Sequence, residues 1–225
     1  MEILDQKTRI DRISENGYEF DLQKYISEGW DLFRKAPLQL ALYTLVVAGV
    51  ALVLGIIPIV GSIASMIVVP VLVAGYYVGI KKIDEENAVE LGDFFKSFDN
   101  WQQVFLFGLV SGLLIFLGFI LLILPGIWFA VAVMFGYPLI VFAKLEFWDS
   151  IKTSVNLINK KWFHFFGLAI VLALINMVGA LLLGIGLFIT IPLSYGTIYA
   201  CYKDVVGFGG TVERDITDHL VDDQL

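Results

Sequence analysis

Residues 36–80 read APLQLALYTLVVAGVALVLGIIPIVGSIASMIVVPVLVAGYYVGI, a stretch of 45 residues without one charged side chain. A transmembrane helix needs about 20 apolar residues, because each residue rises about 1.5 Å and the hydrocarbon layer is about 30 Å thick. The stretch is about twice that length, and Pro58 and Gly61, both typical of turns, lie near its middle. It therefore predicts a helical hairpin that enters and leaves the bilayer through the same face.

Two more stretches of this kind follow in the chain. Residues 104–143 and 165–202 also lack charged side chains, over 40 and 38 residues. Their turn residues are Pro125, Gly126, Gly184, Gly186 and Pro192. The sequence thus predicts an all-α integral membrane protein with six transmembrane helices, arranged as three hairpins. Because three helix-breaking residues interrupt the third hairpin, the sequence leaves open whether it spans the membrane fully or is re-entrant.

The composition of the 225 residues agrees with a membrane protein. Hydrophobic residues make up 58% and charged residues 16%, whereas charged residues reach about 25% in a typical soluble domain. With a mean hydropathy of +0.82, the chain has too few charges to cover the surface of a soluble enzyme. We expect a membrane domain over residues 20–207, between a polar N-terminal segment (1–19) and an acidic tail (208–225).

All 15 basic residues lie outside the three charge-free stretches. In membrane proteins, lysine and arginine are enriched in cytoplasmic loops, whereas aspartate and glutamate contribute little to orientation. Since each predicted hairpin returns to the face where it started, one face carries every basic residue. The sequence therefore predicts that both termini and both polar loops lie in the cytoplasm.

A short amphipathic segment containing tryptophan precedes each hairpin. The apolar residues at helical spacing are Leu22, Tyr25, Ile26, Trp30 and Phe33 in the first, Leu91, Phe94, Phe95, Phe98 and Trp101 in the second, and Trp148, Ile151, Val155, Ile158 and Trp162 in the third. Helices with one apolar and one polar face lie in the membrane interface, where the tryptophan ring is also favoured. The order of interface helix, span, turn and span occurs three times. It indicates either an internal repeat or the regular alternation of spans and short outer loops that any six-span protein shows.

Several short motifs resemble those of one known family. They are Gly29-Trp-Asp-Leu-Phe-Arg-Lys-Ala-Pro37, Leu124-Pro-Gly-Ile-Trp128, Trp148-Asp-Ser-Ile-Lys-Thr-Ser154, Gly184-Ile-Gly186, Ile191-Pro192 and Tyr202-Lys-Asp204. Over these residues the chain is similar to the uncharacterised bacterial multi-pass membrane proteins of the YciC type. That family is related to the membrane domain fused to some glycerophosphodiester phosphodiesterases. The resemblance implies a multi-pass protein of the bacterial inner membrane. It implies no phosphodiesterase activity, since the soluble barrel of the fused relatives has no counterpart in this sequence.

The sharpest single feature inside a charge-free stretch is Asn176. It lies near the middle of the fifth predicted span, where an amide without a hydrogen-bond partner costs several kcal/mol. Thr190 and Ser194 follow in the sixth predicted span, and the three residues form a candidate intramembrane polar site. This site either lines a path for a substrate or forms a hydrogen bond between two helices. The structural role is favoured, because hydrogen bonds between helices are common in membrane proteins.

The third amphipathic segment carries more basic than acidic residues, unlike the other polar parts of the chain. Lys152, Lys160 and Lys161 lie near Trp162, at the level expected for lipid headgroups. A basic side chain near an anionic leaflet contributes about 1 kcal/mol to binding. These four residues are candidate contacts for anionic lipids, although ordinary anchoring by cytoplasmic lysines explains them too. Nucleic acid is not an expected partner, since the isoelectric point is about 4.8 and no basic stripe is present.

No catalytic, cofactor-binding or metal site is predicted. The two histidines, His164 and His219, stand apart without a second metal ligand at a helical spacing, and a zinc site needs three or more protein ligands. Cys201 is the only cysteine, and we expect it to pack inside the protein. The residues able to support chemistry near a membrane face are Ser154, Tyr202, Asp204 and His164. No motif joins them into one site.

Two pairs of glycines have the spacing that lets transmembrane helices approach closely. They are Gly75 with Gly79 and Gly108 with Gly112. With 21 glycines in the chain, chance matches are common, so packing within one chain is favoured over a homodimer. Membrane lipids are the expected partners, and a homo-oligomer or a membrane-protein partner stays open.

These observations favour a non-enzymatic scaffold or partner protein in membrane and envelope upkeep. The lack of a catalytic constellation and the three predicted interface helices motivate this expectation. The alternative is a transporter or channel for a neutral or lipidic substrate, with the interrupted segment 184–192 and Asn176 lining its path. A pump of the usual carboxylate type is not expected, because no charged residue lies in any predicted span.

Overall fold

The computed structural model describes residues Ile10, Ile13 and 17–208 of the chain. Ten α-helices and one 3-10 helix lie among these residues and no strand does, so the prediction of an all-α protein is confirmed. The α-helices are α1 (Leu22–Lys35), α2 (Pro37–Ile56), α3 (Val60–Glu86), α4 (Leu91–Phe94), α5 (Trp101–Leu121), α6 (Ile123–Ala132), α7 (Gly136–Ala143), α8 (Phe147–Asn159), α9 (Trp162–Leu181) and α10 (Leu187–Val205). The 3-10 helix (Phe95–Asn100) joins α4 to α5. Most of the predicted N-terminal segment and of the predicted acidic tail, with His219, lies outside the described residues.

Five helical stretches are long and apolar enough to cross a membrane, which supports a multi-pass membrane protein. They are Pro37–Ile56, Val60–Glu86, Leu91–Leu121, Ile123–Ala143 and Trp162–Leu181. The sixth predicted span also forms a helix, α10, but this helix is not among the five. Its hydroxyl groups, with Lys203 and Asp204 near its end, leave it without a long window as apolar as those of the five stretches.

The long helices divide into an outer and an inner set. Only 17% of the most apolar stretch is buried in α2 and in α5, and 22% in α9, compared with 44% in α3 and 56% across α6 and α7. Nine residues of α10 are buried, because this helix packs against α1, α2, α3 and α9. We call α2, α5 and α9 the outer helices, and α3, α6–α7 and α10 the inner helices. Apolar side chains of the outer helices therefore point away from the protein.

Two of the three turns between outer and inner helices lie where the sequence predicts them. Residues 57–59 separate α2 from α3, and residues 182–186 separate α9 from α10. Gly184 has a φ of 77°, which glycine adopts easily because it has no Cβ. α10 continues without a break through Pro192, so the interruption of this segment is shorter than the predicted one.

The second turn is displaced from its predicted position. α5 ends at Leu121 and α6 begins at Ile123, so the chain turns at Leu122. Pro125 and Gly126, the predicted turn residues, lie in the first turn of α6. Proline fits there because the first N–H groups of a helix have no partner within that helix.

The second inner helix is broken in its middle, a feature that the sequence did not predict. α6 ends at Ala132 and α7 begins at Gly136, and two fully buried serines of α8 reach into the break. Ser154 accepts a hydrogen bond from the Phe135 N–H at 3.1 Å and donates one to the Ala132 carbonyl at 2.7 Å. Ser150 donates to the Gly136 carbonyl at 2.7 Å. Side chains of α8 thus satisfy backbone groups that the break leaves without helical partners.

Each predicted amphipathic segment packs along an inner helix. α1 lies against α10, where a Cβ on Gly29 would come within 2.7 Å of the Thr197 nitrogen. Phe94 of α4 covers Gly79 of α3 so closely that a Cβ there would overlap its ring. α8 lies against α6 and α7 through its two serines. The first of these contacts joins the beginning of the helical domain to its end, which closes the bundle.

Aromatic rings fill the space between α2, α3 and α10. The ring centroids of Tyr43 and Tyr76 are 4.8 Å apart, those of Tyr43 and Phe94 are 4.3 Å apart, and Tyr195 stacks on Tyr76 at 4.4 Å. The Tyr43 hydroxyl donates to the Leu72 carbonyl at 2.6 Å. Rings of this size exclude water from the contact between these helices while their bonded hydroxyls stay satisfied.

Candidate functional site

The predicted polar site in the third hairpin comes together in the structure. Asn176 of α9 donates from Nδ2 to the Ser194 hydroxyl of α10 at 2.7 Å and to the Leu172 carbonyl at 2.8 Å. Ser194 in turn donates to the Thr190 carbonyl at 2.8 Å. The three residues therefore lie at one contact between two helices. The hydrogen bond between Asn176 and Ser194 is the interhelical bond that the sequence favoured.

Two oxygen atoms at this contact keep unused hydrogen-bonding capacity. Asn176 Oδ1 and Thr190 Oγ1 are buried and have no hydrogen-bond partner among the described residues. The helices are also very close here, since a Cβ on Gly179 would lie 2.5 Å from Thr190 Oγ1. A buried polar atom without a partner is costly, so these two oxygens are the part of the site where an added hydroxyl or water would be stabilised.

Three of the four candidate lipid contacts, Lys160, Lys161 and Trp162, lie at the junction of α8 and α9, whereas Lys152 lies in the first half of α8. Lys152 forms an exposed ion pair with Asp149 at 2.7 Å. Lys160 and Lys161 separate α8 from α9, and Lys160 is exposed. The Trp162 indole donates to the Trp128 carbonyl at 3.3 Å, so this ring contacts α6. Their binding of anionic lipids stays a prediction.

The structure also contains a polar groove that the sequence did not predict. It has a volume of about 1050 Å³ and lies between α1 and the last turns of α3 and α10. Its charged lining residues include Lys24, Glu28, Asp31, Lys35, Asp84 and Lys203. The α1 residues recur at helical spacing, so one polar face of α1 forms a wall of the groove. We call this side of the molecule the charged end.

Two carboxylates clamp the helices that surround the groove. Asp204 accepts hydrogen bonds from the Lys24 ammonium group and from the Tyr25 hydroxyl, the latter at 2.7 Å. Asp84 accepts from Lys203 at 2.7 Å and from the Tyr199 hydroxyl at 2.9 Å. Asp204 thereby joins α1 to α10, and Asp84 joins α3 to α10. The sequence singled out Tyr202-Lys-Asp204 as a motif but could not reveal partners 180 residues away.

Hydrogen bonds and burial at the charged end change the pKa values of three α1 side chains. The hydrogen bond to Asp204 raises the pKa of Lys24 above its ordinary value. Burial, followed by the hydrogen bond to Asp204, raises the pKa of the Tyr25 phenol. Burial raises the pKa of Glu28 as well. At neutral pH Lys24 therefore stays charged and Tyr25 stays protonated, the states in which both donate to Asp204.

Ser154, Asp204 and His164, three of the residues considered for chemistry, each contact a different part of the protein. Ser154 is bonded to the backbone of the α6–α7 break. Asp204 is paired with Lys24 on the other side of the groove, and His164 lies 5.5 Å from the Phe20 ring. Cys201 is buried, as predicted.

The predicted close-packing glycines act mainly within the chain. A Cβ on Gly75 or Gly79 would meet Phe94, and a Cβ on Gly108 would lie 2.8 Å from Pro70. Only Gly112 faces open space. Intramolecular packing therefore accounts for three of the four glycines.

Comparisons with known proteins give no relatives: no family model, no curated protein and no solved structure matches this chain.

Proposed function

We propose that the chain crosses the bacterial inner membrane six times, as three hairpins, with both termini and both polar loops in the cytoplasm. The five long apolar helices support five of these crossings. α10 supports the sixth, because it packs beside α9 and is surrounded by other helices. A helix covered by protein can carry hydroxyl and tyrosine side chains at membrane depth, since they face helices and not lipid.

Ion pairs between distant parts of the chain support a single charged face. Lys24, from the N-terminal polar block, pairs with Asp204 at the end of the last helix. Lys203 pairs with Asp84, which belongs to the polar block after the first hairpin. These blocks meet at the charged end, as expected if each hairpin returns to the cytoplasmic side.

An internal threefold repeat belongs to the same proposal. Three short helical segments each pack along an inner helix, and the contact between α1 and α10 closes this pattern into a ring. Trp30, Trp101 and Trp148, one from each segment, are 42%, 42% and 49% exposed. Exposed tryptophans suit a position in the membrane interface.

Within this membrane we propose a non-enzymatic role as a scaffold or partner protein in membrane upkeep. The observation that carries this proposal is the filling of the bundle by aromatic rings between α2, α3 and α10. A packed interior favours a rigid body that organises lipids or partner proteins over an open path for solutes. Its partners are membrane lipids and either a second copy or another membrane protein. The resemblance to the YciC type stays a prediction.

Reconstitution into lipid vesicles tests the scaffold against the alternative, a transporter for a neutral or lipidic substrate. The unpartnered oxygens of Asn176 and Thr190 are the observation that favours transport. For a scaffold, we expect glycerol entry and the flipping of a fluorescent phosphatidylcholine to match those of empty vesicles. Faster rates that Asn176→Leu abolishes, while Met177→Leu at the exposed neighbouring position leaves them unchanged, would establish the transporter instead.

A further inference from the structure

Three tyrosines, one from each inner helix, meet at the centre of the bundle. The rings of Tyr77 and Tyr195 are 5.6 Å apart at 82°, and Tyr137 packs against the same cluster of buried residues. None of these three hydroxyls forms a hydrogen bond with a described residue. Tyr77 is only 1% exposed. A phenol hydroxyl whose hydrogen-bonding capacity is unused favours an acceptor from outside the described chain.

An apolar groove leads toward these tyrosines from the outer surface. It lies between α3 and α5, has a volume of about 520 Å³, and has no charged residue in its lining. Met66, Leu113 and Phe116 line it and are 55–61% exposed, so the groove is open to the surroundings of the bundle. Gly112 leaves space along its wall, since no atom lies within 4 Å of the position of a Cβ there.

The groove ends beside one of the three phenols. Gly108 and Pro70 line the groove, and a Cβ on Gly108 would lie 3.1 Å from the Tyr137 hydroxyl. Tyr137 does not itself line the groove, but its hydroxyl, a hydrogen-bond donor, lies next to Gly108, which does. A ligand with an apolar chain and an accepting oxygen at its end fits both features.

The direction of the groove indicates which lipid it suits. Tyr77 precedes Lys82 by five residues and Tyr195 precedes Lys203 by eight, which places the phenols about 7–12 Å from the charged end along the helices. From Gly108 to Phe116 the groove continues about 12 Å away from that end. The phenols therefore lie at the depth of ester groups below the headgroups, and the groove extends from there toward the bilayer centre.

We propose that the groove binds one acyl chain of a glycerolipid from the cytoplasmic leaflet, with the ester carbonyl accepting a hydrogen bond from the tyrosine cluster. The inference rests on the proposed membrane embedding. The phenols are neutral donors and the groove contains no basic side chain, so a neutral ester suits them better than a carboxylate or a phosphate. The lipid would satisfy hydroxyls that the protein leaves without acceptors.

Photolabelling in lipid nanodiscs tests occupancy of the groove. The full chain is placed in phosphatidylcholine nanodiscs. A small fraction of the lipid is replaced by a photoreactive probe, a phosphatidylcholine with a diazirine on its acyl chain. We expect saturable labelling concentrated in residues 65–70 and 108–116. Gly112→Leu should fill the groove and lower this labelling at least fivefold. Gly49→Leu is the matched control, because a Cβ at Gly49 also meets no atom within 4 Å, and it should leave the labelling unchanged.

Competition with unlabelled lipid tests recognition of the carbonyl. We expect ester-linked phosphatidylcholine to compete several-fold better than its ether-linked analogue, which lacks the carbonyl oxygen. Tyr137→Phe, which keeps the ring, should abolish this preference. Equal competition by both lipids with native protein would overturn the role of the phenols.

Two further outcomes separate this inference from the proposed function. Labelling spread evenly over α2, α5 and α9, and insensitive to Gly112→Leu, would show ordinary boundary lipid and overturn the groove site while leaving the six-span proposal intact. Labelling of no helix at all would contradict the membrane embedding itself, and the lipid site with it.

Discussion

At the scale of single residues, missing side chains decide how closely the helices approach. Gly29 of α1 faces Thr197 of α10, and a Cβ there would lie 2.5 Å from Thr197 Oγ1 and 2.7 Å from its backbone nitrogen. Backbone atoms cannot move aside as the end of a flexible side chain can. The absence of a side chain at Gly29 therefore permits the contact that joins the first helix to the last.

Gly29→Ala should lower the stability of the protein by about 1–3 kcal/mol, because overpacking forces the two helices apart. Gly49→Ala is the control, since it makes the same change in a helix where a Cβ meets nothing within 4 Å. Both variants gain the helix preference of alanine, so their difference reports packing alone. Thermal unfolding in detergent measures it, and equal Tm values for the two variants would contradict the close contact.

At the scale of elements, the break between α6 and α7 depends on a neighbouring helix. Ser154 of α8 bonds to the N–H of Phe135 and to the carbonyl of Ala132 with a single hydroxyl. The Ser154 side chain is fully buried, so no water can replace either bond. The inner helix can therefore stay broken only while α8 remains in place beside it.

Ser154→Ala should destabilise the protein by about 2–5 kcal/mol, since it leaves a buried donor and a buried acceptor unsatisfied. The Phe135 amide should also exchange its hydrogen faster, which mass spectrometry of the exchanged protein detects. Ser65→Ala is the control, because the Ser65 hydroxyl is exposed and bonds only to the Ser62 carbonyl of its own helix. If the two variants unfold at the same temperature, the break does not need the Ser154 hydroxyl.

At the scale of the whole molecule, the contacts at the charged end link parts of the chain that are far apart in sequence. Asp204 holds α1, and Asp84 holds the end of α10 to α3. Both clamps place the beginning of α1 and the ends of α3 and α10 on the same side of the protein. Their geometry is what an even number of crossings produces.

Reporter insertions should place the turns at Pro58, Leu122 and Gly184 outside the cytoplasm, and the loops at Ala88 and Leu145 inside it. Alkaline phosphatase, active only outside, and a fluorescent protein, fluorescent inside, are the two readouts. A fusion after Leu225 should be fluorescent. Cytoplasmic signal from the insertion at Gly184 alone would make the third hairpin re-entrant. Cytoplasmic signal at Leu122 would remove the basis of the six-span proposal.

The sequence by itself determined the class of protein and the position of most long helices. Charged side chains are too costly in hydrocarbon to occur there unpaired, so the three charge-free stretches mark the apolar helices directly. Asn176 and Ser194 were also identified from the sequence, because polar residues are rare in such stretches. Their mutual hydrogen bond fits the role that the sequence favoured.

Only the tertiary structure decided which helices lie inside, where α6 breaks, and which charges pair. The outer helix α2 and the inner helix α3 are both strongly apolar. Apolar side chains are favoured next to lipid as well as next to other helices, so the two positions cannot be told apart by composition. The partners of Ser154, Asp84 and Asp204 come from other helices, so no local pattern records them. A sequence indicates whether a side chain is favourable in hydrocarbon or in water. The partner of that side chain depends on how distant segments of the chain pack together.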